Sequence, residues 1–427
     1  MRLKSLILGC AIAALALPAV AQELTAITGG RVLTGTSVIE NGVVVIQNGR
    51  VVSVGTGAAP AGARVIDARG KTIMPGIVDA HAHLGGPGDG LIPQANWALM
   101  ANVAYGVTTS HDPSNDTETI FTVAEMVRTG ALVGPRVFST GTILYGAETP
   151  FKSVVSSIDD ARAHLRRMKA AGAFSVKSYN QQRRDARQMI VKAARELEML
   201  VVPEGGSLLY LNETMMLDGH TGIEHNLPTP NLYKDVTTLF AQSGLGYTPT
   251  LIVSYGSQSG ENYWYHRDEV FRNQRLLTFV PRDVVLPRSR RRMASAEDDY
   301  AHVLVSKSAK AVLDAGGKVQ LGAHGQLQGL GAHWELWMLA QGGMTNHEAL
   351  QAATIAGAQY LGLDKDLGSI EAGKLADLVV LDGNPLVDIR KSDTVNQVMV
   401  NGRLYDAATL DQIAPTAQDR RKLYWER

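Results

Sequence analysis

Between Pro75 and about Leu361 the chain alternates eight short apolar runs with amphipathic segments, and this alternation restricts the fold more than any other feature. The runs end at His83, His111, Thr140, Tyr179, Glu204, His225, Thr250 and His324. Between them lie stretches such as Ile158 to Ala171 and Arg183 to Leu200, with apolar residues at helical spacing. Strands that alternate with helices pair in parallel, because each helix carries the chain back along the sheet. Eight such units predict an α/β fold, a (β/α)8 TIM barrel over residues 75–365. Barrel enzymes place their chemistry at the C-terminal ends of the strands, where these closing polar residues fall.

The first run closes with Met74-Pro75-Gly76-Ile77-Val78-Asp79-Ala80-His81-Ala82-His83. Residues two apart in an extended chain face the same side, so His81 and His83 can aim both imidazoles at one point. Neutral imidazoles converging at a strand end suit a borderline ion such as zinc. A bare His-x-His is more often a pair of ordinary core or surface histidines. The Pro-Gly turn, the apolar run, Asp79 and the following Gly85-Gly86-Pro87-Gly88 favour the metal.

The 427 residues suffice for one large domain and a smaller one. Arg2 and Lys4, the apolar run Leu6 to Leu17 and Ala19-Val20-Ala21 read as a signal peptide cut after Ala21, which implies a periplasmic or secreted protein. A lipoprotein at Cys10 would have almost no apolar run before it. Cys10 is the single cysteine, so the mature chain has no disulfide and no thiolate ligand, and a metal must rest on His, Asp, Glu or a modified Lys. Removing the signal leaves 39 basic against 41 acidic residues, a balance without the footprint of a nucleic-acid binder. No other apolar run is long enough to span a bilayer. The sequence is compatible with a homo-oligomer.

Short β-like runs broken by Asn48-Gly49 and by Asn401-Gly402 flank the barrel. Residues 22–74 and 366–410 are each too short to bury a core alone, so together they predict one composite β-sandwich. Residues 411–427 read as a charged, helical tail. The connection 254–299 is long enough to be functional. Its Tyr255, Tyr263, Trp264, Tyr265 and His266 suggest an ordered lid over the barrel mouth, and its arginines, Arg288 among them, are either a solvated face or carboxylate-binding groups. His164, His302 and His347 lie on helical patterns and read as solvated, and His220 as a capping or surface histidine.

The Met-Pro-Gly-x-x-Asp-x-His-x-His strand, Gly106-Val107-Thr108-Thr109, Glu348-Ala349-Leu350 with Ala353-Thr354 and Leu361-Gly362, and Gly368-Ser369-Ile370-Glu371-Ala372-Gly373-Lys374-Leu375-Ala376-Asp377-Leu378 together resemble the amidohydrolase superfamily. The chain is similar to its imidazolonepropionase-like and prolidase-like branch, and most to the amidohydrolase module often found with TolB-like propellers. The resemblance covers almost the whole mature chain. It implies a barrel, a composite β-sandwich and a hydrolytic site with one or two divalent ions, Zn2+ first and Mn2+ second.

Carried over by the resemblance, His81 and His83 are ligands, Lys177 in Phe174-Ser175-Val176-Lys177-Ser178-Tyr179 is a carboxylated ligand, and His225 is a further one. Two positions depart from the pattern: Glu204 stands where the family has His, and His324 where it has Asp. The exchange conserves the charge of the site, and both are acceptable zinc ligands, so a rewired live site is expected. The bland alternative makes Glu204 a loop cap and His324 an isolated barrel histidine. The reaction implied is hydrolysis of an amide-like C–N bond in a dipeptide, acyl amino acid or cyclic amide by a metal-activated hydroxide. His324 or His111 would carry the proton, and Tyr179, Tyr255 and Arg288 would hold a small or short-peptide substrate. The rivals are a mononuclear deaminase of the same superfamily and a non-catalytic periplasmic binding protein with a decayed site.

Overall fold

The computed structural model describes residues 24–85, 91–145, 152–229, 231–256, 258–292 and 294–426. The expected signal peptide and most of the Gly85–Gly88 segment lie outside them.

The amino-terminal segment forms β1 (Leu24–Leu33), β2 (Val38–Gln47), β3 (Arg50–Thr56), β4 (Arg64–Asp67) and β5 (Thr72–Pro75). Asn48 and Gly49 both take positive φ at the β2–β3 turn, as an Asn-Gly hairpin requires. After Pro75 the chain runs through β6 (Ile77–Asp79), β7 (Val107–Asp112), β8 (Arg136–Ser139), β9 (Ile143–Tyr145), β10 (Lys152–Ser153), β11 (Ser175–Tyr179), β12 (Leu200–Pro203), β13 (Gly222–Glu224), β14 (Gly246–Thr248) and β15 (Lys318–Val319). These ten make three parallel sheets, in the orders β6-β7-β8, β10-β9-β11-β12 and β13-β14-β15. Main-chain bonds join the sheets. Thr221 N to Val201 O and Gly205 N to Glu224 O, each 2.8 Å, tie β12 to β13, and Ala80 N to Leu321 O at 3.0 Å ties the end of β6 to the segment after β15.

The helices between the strands are α1 (Trp97–Ala104), α2 (Thr117–Thr129), α3 (Ile158–Ala171), α4 (Arg184–Glu196), α5 (Leu209–Asp218) and α6 (Lys234–Ser243). Helix α3 has the bounds its periodicity predicts. Ser157 and Asp160 close a capping box at its start, and Gly172 at φ 113 ends it. The 254–299 connection carries α7 (Gly260–Arg267), α8 (Gln274–Phe279) and α9 (Arg282–Arg290), followed by α10 (His302–Asp314) and α11 (Leu330–Gln341). The lid expectation is corrected for the aromatics of α7. Trp264 and Tyr265 are buried, with ring centroids 5.2 Å from Trp337 and 5.1 Å from Trp334, so the aromatic cluster of α7 anchors the connection to α11.

The carboxyl-terminal segment adds β16 (Leu378–Leu381), β17 (Val395–Val400), β18 (Arg403–Asp406) and β19 (Gln412–Ala414). The sandwich expectation is revised in its connectivity. Hydrogen bonds link both chain ends in one nine-stranded sheet, because β16 pairs antiparallel with β5, Leu378 opposite Pro75. Each segment thereby covers the open edge of the other. One apolar cluster draws on both, including Ile27, Val44, Ile73, Leu378, Met399 and Leu404. The tail is not helical: β19 pairs with β18, Pro415 follows it, and no helix lies beyond it among the described residues. Among the described residues no helix is long and apolar enough to cross a membrane.

Candidate functional site

Strand ends bring four histidines together. The seam between β6 and the segment after β15 places two of them: the buried Asp79 carboxylate accepts from the backbone N of His81 (3.2 Å) and of Ala323 (3.0 Å), and His324 N donates to His81 O at 2.7 Å. Burial raises the Asp79 carboxyl to about 7. Gly325 follows at φ 77, where a Cβ would meet His83 O at 2.3 Å, so only glycine lets the two strand ends approach. His225 leaves β13 at φ 72 and His324 has φ 59, conformations uncommon outside glycine that turn both side chains toward the cluster.

Imidazole centroids lie 5.1 Å apart for His81–His83, 4.9 Å for His81–His225, 4.6 Å for His83–His324 and 4.9 Å for His225–His324. Each Nδ1 faces an oxygen. His225 Nδ1 is 2.7 Å from Thr250 Oγ1, His324 Nδ1 is 3.1 Å from Gln326 Oε1, His81 Nδ1 is 2.8 Å from Glu224 Oε2, and His83 Nδ1 is 3.8 Å from Asp112 Oδ1. Of these only the His225 and His324 contacts are hydrogen bonds: His81 Nδ1 is not aligned for one with Glu224, and the His83 separation is too long. Where Nδ1–H donates, as to Gln326 Oε1, Nε2 is left as a lone pair. His81 Nε2 and His83 Nε2 stand 3.3 Å apart, and ligating atoms of His81, His225 and His324 lie within 4.8 Å of one another. His225 Nε2 is 2.7 Å from Glu204 Oε1 but is not aligned for a hydrogen bond, and is buried without such a partner among the described residues. Burial first, then the neighbouring positive groups, holds His81 well below the ordinary histidine range and His324 down to about 3. Converging imidazoles, with His81 and His324 held neutral by burial, and an orphaned buried nitrogen fit the donor set of a divalent-ion site.

Lys177 and Glu204 stand beside this cluster. Lys177, fully buried in β11, places Nζ 2.7 Å from Glu204 Oε2 and 3.2 Å from Glu224 Oε2. Burial opposes both charges. The attraction between them outweighs it, raising the lysine above its ordinary range and holding Glu204 well below the carboxylate range. In this arrangement the Lys177 ammonium is clasped by two carboxylates. Gly205 permits the turn after Glu204, since a Cβ there would lie 2.1 Å from Glu224 O. Glu204 therefore belongs to the cluster and is no loop cap, and His324 is not isolated.

Glu224 escaped the sequence reading, although a carboxylate inside a buried apolar strand is costly unless paired. It contacts His81 and Lys177 and accepts from Tyr360 OH at 3.1 Å. Thr250 and Gln326, which orient two of the imidazoles, had no signal of their own.

A cavity of about 610 Å3 opens over the cluster, lined by His83, Ser114, Tyr145, Tyr179, Glu204, His225, Tyr255 and His324, with Ile143 and Val253. Tyr179 and Tyr255 border this cavity, and Tyr255 OH donates to Glu204 Oε1 at 3.3 Å. Arg288 does not line the cavity: its Nη1 is bound by Glu261 at 2.8 Å and by Gln326 O at 3.2 Å. His111 is also corrected. It is fully buried, with Nε2 2.8 Å from Ser175 Oγ and Nδ1 3.3 Å from Ala80 O, and Ser175 lies one strand repeat below Lys177. With both nitrogens engaged beneath the site, it holds strands together. His164 and His302 are buried, not solvated, because each bonds an inward oxygen, Thr142 O and Gln341 Oε1. His220 is buried too and caps α5 through Met215 O.

The amidohydrolase family model matches residues 72–405. A dihydroorotase from Trichlorobacter lovleyi is 29% identical over 224 residues, 50% of this chain and 50% of that one, so the chain spans about half the length of the curated relatives it matches. Among solved structures, a Xaa-Pro dipeptidase with methionine bound in its active site matches with a TM-score of 0.70 at 22% identity, over 90% of this chain and 100% of that one. The ochratoxinase of A. niger matches with a TM-score of 0.68 at 18% identity, over 90% of this chain and 96% of that one. These neighbours and the family imply a TIM barrel with an added sheet domain. The strand-end histidines and the family match over most of the chain agree, and the protein belongs to the amidohydrolase family.

Proposed function

We propose that this protein is a metal-dependent hydrolase of amide-like C–N bonds in small acyl amino acids, dipeptides or cyclic amides, working on a barrel whose arcs are the three parallel sheets. The observation that carries the reading is the convergence of four imidazoles at the strand ends, with ligating atoms of His81, His225 and His324 within 4.8 Å of one another and His83 Nε2 3.3 Å from His81 Nε2. His81, His83, His225 and His324 would hold a divalent ion. When bound, such an ion supplies Lewis-acid polarisation of the scissile carbonyl and acidifies water.

The chain's own groups do the rest. Glu204 borders the cavity with an ionised carboxylate, so Oε1 can accept a proton from attacking water and return it to the leaving nitrogen. In this reading His324, expected as both ligand and proton carrier, serves as ligand with Nδ1 committed to Gln326, and Glu204, expected as a ligand, carries the proton. Lys177 keeps Glu204 ionised and fixed, and Tyr255 steadies Oε1 from the cavity side. Tyr145 and Tyr179 pack edge to face with centroids 4.7 Å apart and wall the cavity against water.

The test is elemental analysis of the mature protein after zinc or manganese loading, with an amide-hydrolysis screen. Bound metal lost in His324→Ala, together with turnover of an acyl amino acid or dipeptide, is the expected result. A wild-type protein that takes up no ion would sink the proposal.

A further inference from the structure

Beside the cavity over the histidines lies a second chamber of about 840 Å3, larger than the first. Tyr145 and Tyr255 line both, so the two spaces meet at these rings. A compact amide needs no more than the first cavity, because pockets of roughly 300–1,000 Å3 already enclose drug-sized ligands. The second chamber is lined by the apolar Val155, Met189, Leu208 and Leu211 and by the polar groups of Asn180 and Gln181, which serve as its floor. Arg183 and Asp185, which pair with each other, also line it.

The floor is built and held. Asn180 turns the chain out of β11 at φ 43. Arg187, buried in α4, then fixes the next two residues, donating from Nη1 to Gln181 O at 2.7 Å and to Gln182 O at 3.1 Å. Arg187 is anchored in turn by Asp218 at 2.8 Å and Thr214 at 2.9 Å. The opposite wall is fixed by Asn212, whose side chain bonds both N and O of Gly206 at 2.9 Å. Gln181 is more than nine-tenths buried, and its Nε2 has no hydrogen-bond partner among the described residues. A buried amide donor without an acceptor is costly unless a ligand supplies one.

We infer that this chamber is a substrate subsite that takes a long, mainly apolar arm attached to the scissile amide, with a carbonyl or carboxylate oxygen of the substrate meeting Gln181. The inference rests on the proposed hydrolase reading for the position of the scissile bond. The preferred substrates are then amides with an extended side group, and short amides fill only the first cavity.

The experiment measures binding first and turnover second, on the zinc-loaded mature protein. The probes are N-acetyl and N-dodecanoyl forms of one amino acid, and the methyl and dodecyl amides of one N-acetyl amino acid. Calorimetric Kd values are compared for wild type, Met189→Trp, which fills the chamber from α4, and Gly206→Val, which has room for its side chain on the opposite wall. One long-arm probe is expected to bind at least about tenfold tighter than its short partner in wild type, as burial of a few methylenes provides. Either filling variant should abolish that preference while leaving the short probe's affinity unchanged. Gln181→Leu should weaken the long probe without affecting zinc content. Equal affinity for long and short probes in wild type, or a preference that survives both variants, overturns the subsite. Hydrolysis of neither probe, with the length preference intact, counts against the hydrolase reading and leaves the subsite standing.

Discussion

Thr250 Oγ1 lies 2.7 Å from His225 Nδ1, and both residues hold positive φ, at 44° and 72°. A β-branched residue in that region is strained, and such strain persists only where the surroundings enforce it. By accepting from Nδ1–H, the hydroxyl would leave the Nε2 lone pair of His225 facing the other imidazoles. Outer partners of this kind are typically worth about 10–100-fold in metal affinity. Thr250→Val should therefore lose about that factor in a chelator-competition titration, with the fold retained, and Thr250→Ser should recover most of it. Unchanged affinity in Thr250→Val would show that the hydroxyl does not set the tautomer.

Glu204 and His324 separate by what their loss removes. Glu204→Gln keeps the shape but cannot accept a proton, so bound metal should persist while turnover falls by about 100-fold or more. His324→Ala should lose the metal itself. If Glu204→Gln is stripped of metal, Glu204 is a ligand and the proton passes elsewhere.

Lys177 ties the chemistry of one side chain to the metal count. Glu204 and Glu224 carry two negative charges against one positive charge on Lys177, which leaves one for a divalent ion to offset. A carbamate on Lys177 would make three, and a second ion would then be needed. Native mass spectrometry should find one ion per chain and no added carbon dioxide. Two ions with one added carbon dioxide would show that the carbamate replaces the ammonium clamp.

Stability should fall on mild acidification. His333 is fully buried, donates from Nε2 to Tyr105 O at 2.8 Å and meets Ser392 Oγ at Nδ1 at 2.9 Å. Burial holds it to about 4, against 6.5 ordinarily. Between those values the unfolded chain binds more protons, so stability is full above pH 6.5 and is lost as pH falls toward 4. The difference corresponds to about 3 kcal/mol. His164, His220 and His302, also held to about 4 by burial, contribute with the same sign. Urea unfolding between pH 7 and pH 4.5 should show a slope shallower in His333→Gln by up to about 1.4 kcal/mol per pH unit. Equal slopes in the two proteins would place the acid sensitivity elsewhere.

Periodicity made the strand–helix alternation legible, down to the bounds of α3, because helix spacing and caps are local properties. Motif and resemblance singled out His81, His83, Lys177, Glu204, His225 and His324, and the structure gathers all six in one place. What failed was whatever depends on the direction of a side chain between distant elements. His111 lies near the end of β7 and His225 just beyond β13, yet His111 points below the site to Ser175. Arg288 lies in the expected connection but is taken by Glu261. The aromatics of α7 turn inward to Trp334 and Trp337.

The sequence by itself determined which segments are strands and helices and which residues can donate to a metal, because backbone propensity and ligand chemistry belong to single residues and their near neighbours. Only the tertiary structure decided that β5 and β16 join the two chain ends in one sheet, that Glu224 clasps Lys177, and which nitrogen of each histidine faces inward. Apart from the local His324–Gln326 contact, those outcomes depend on contacts between residues tens to hundreds of positions apart, and their alignment exists only once the strands have packed.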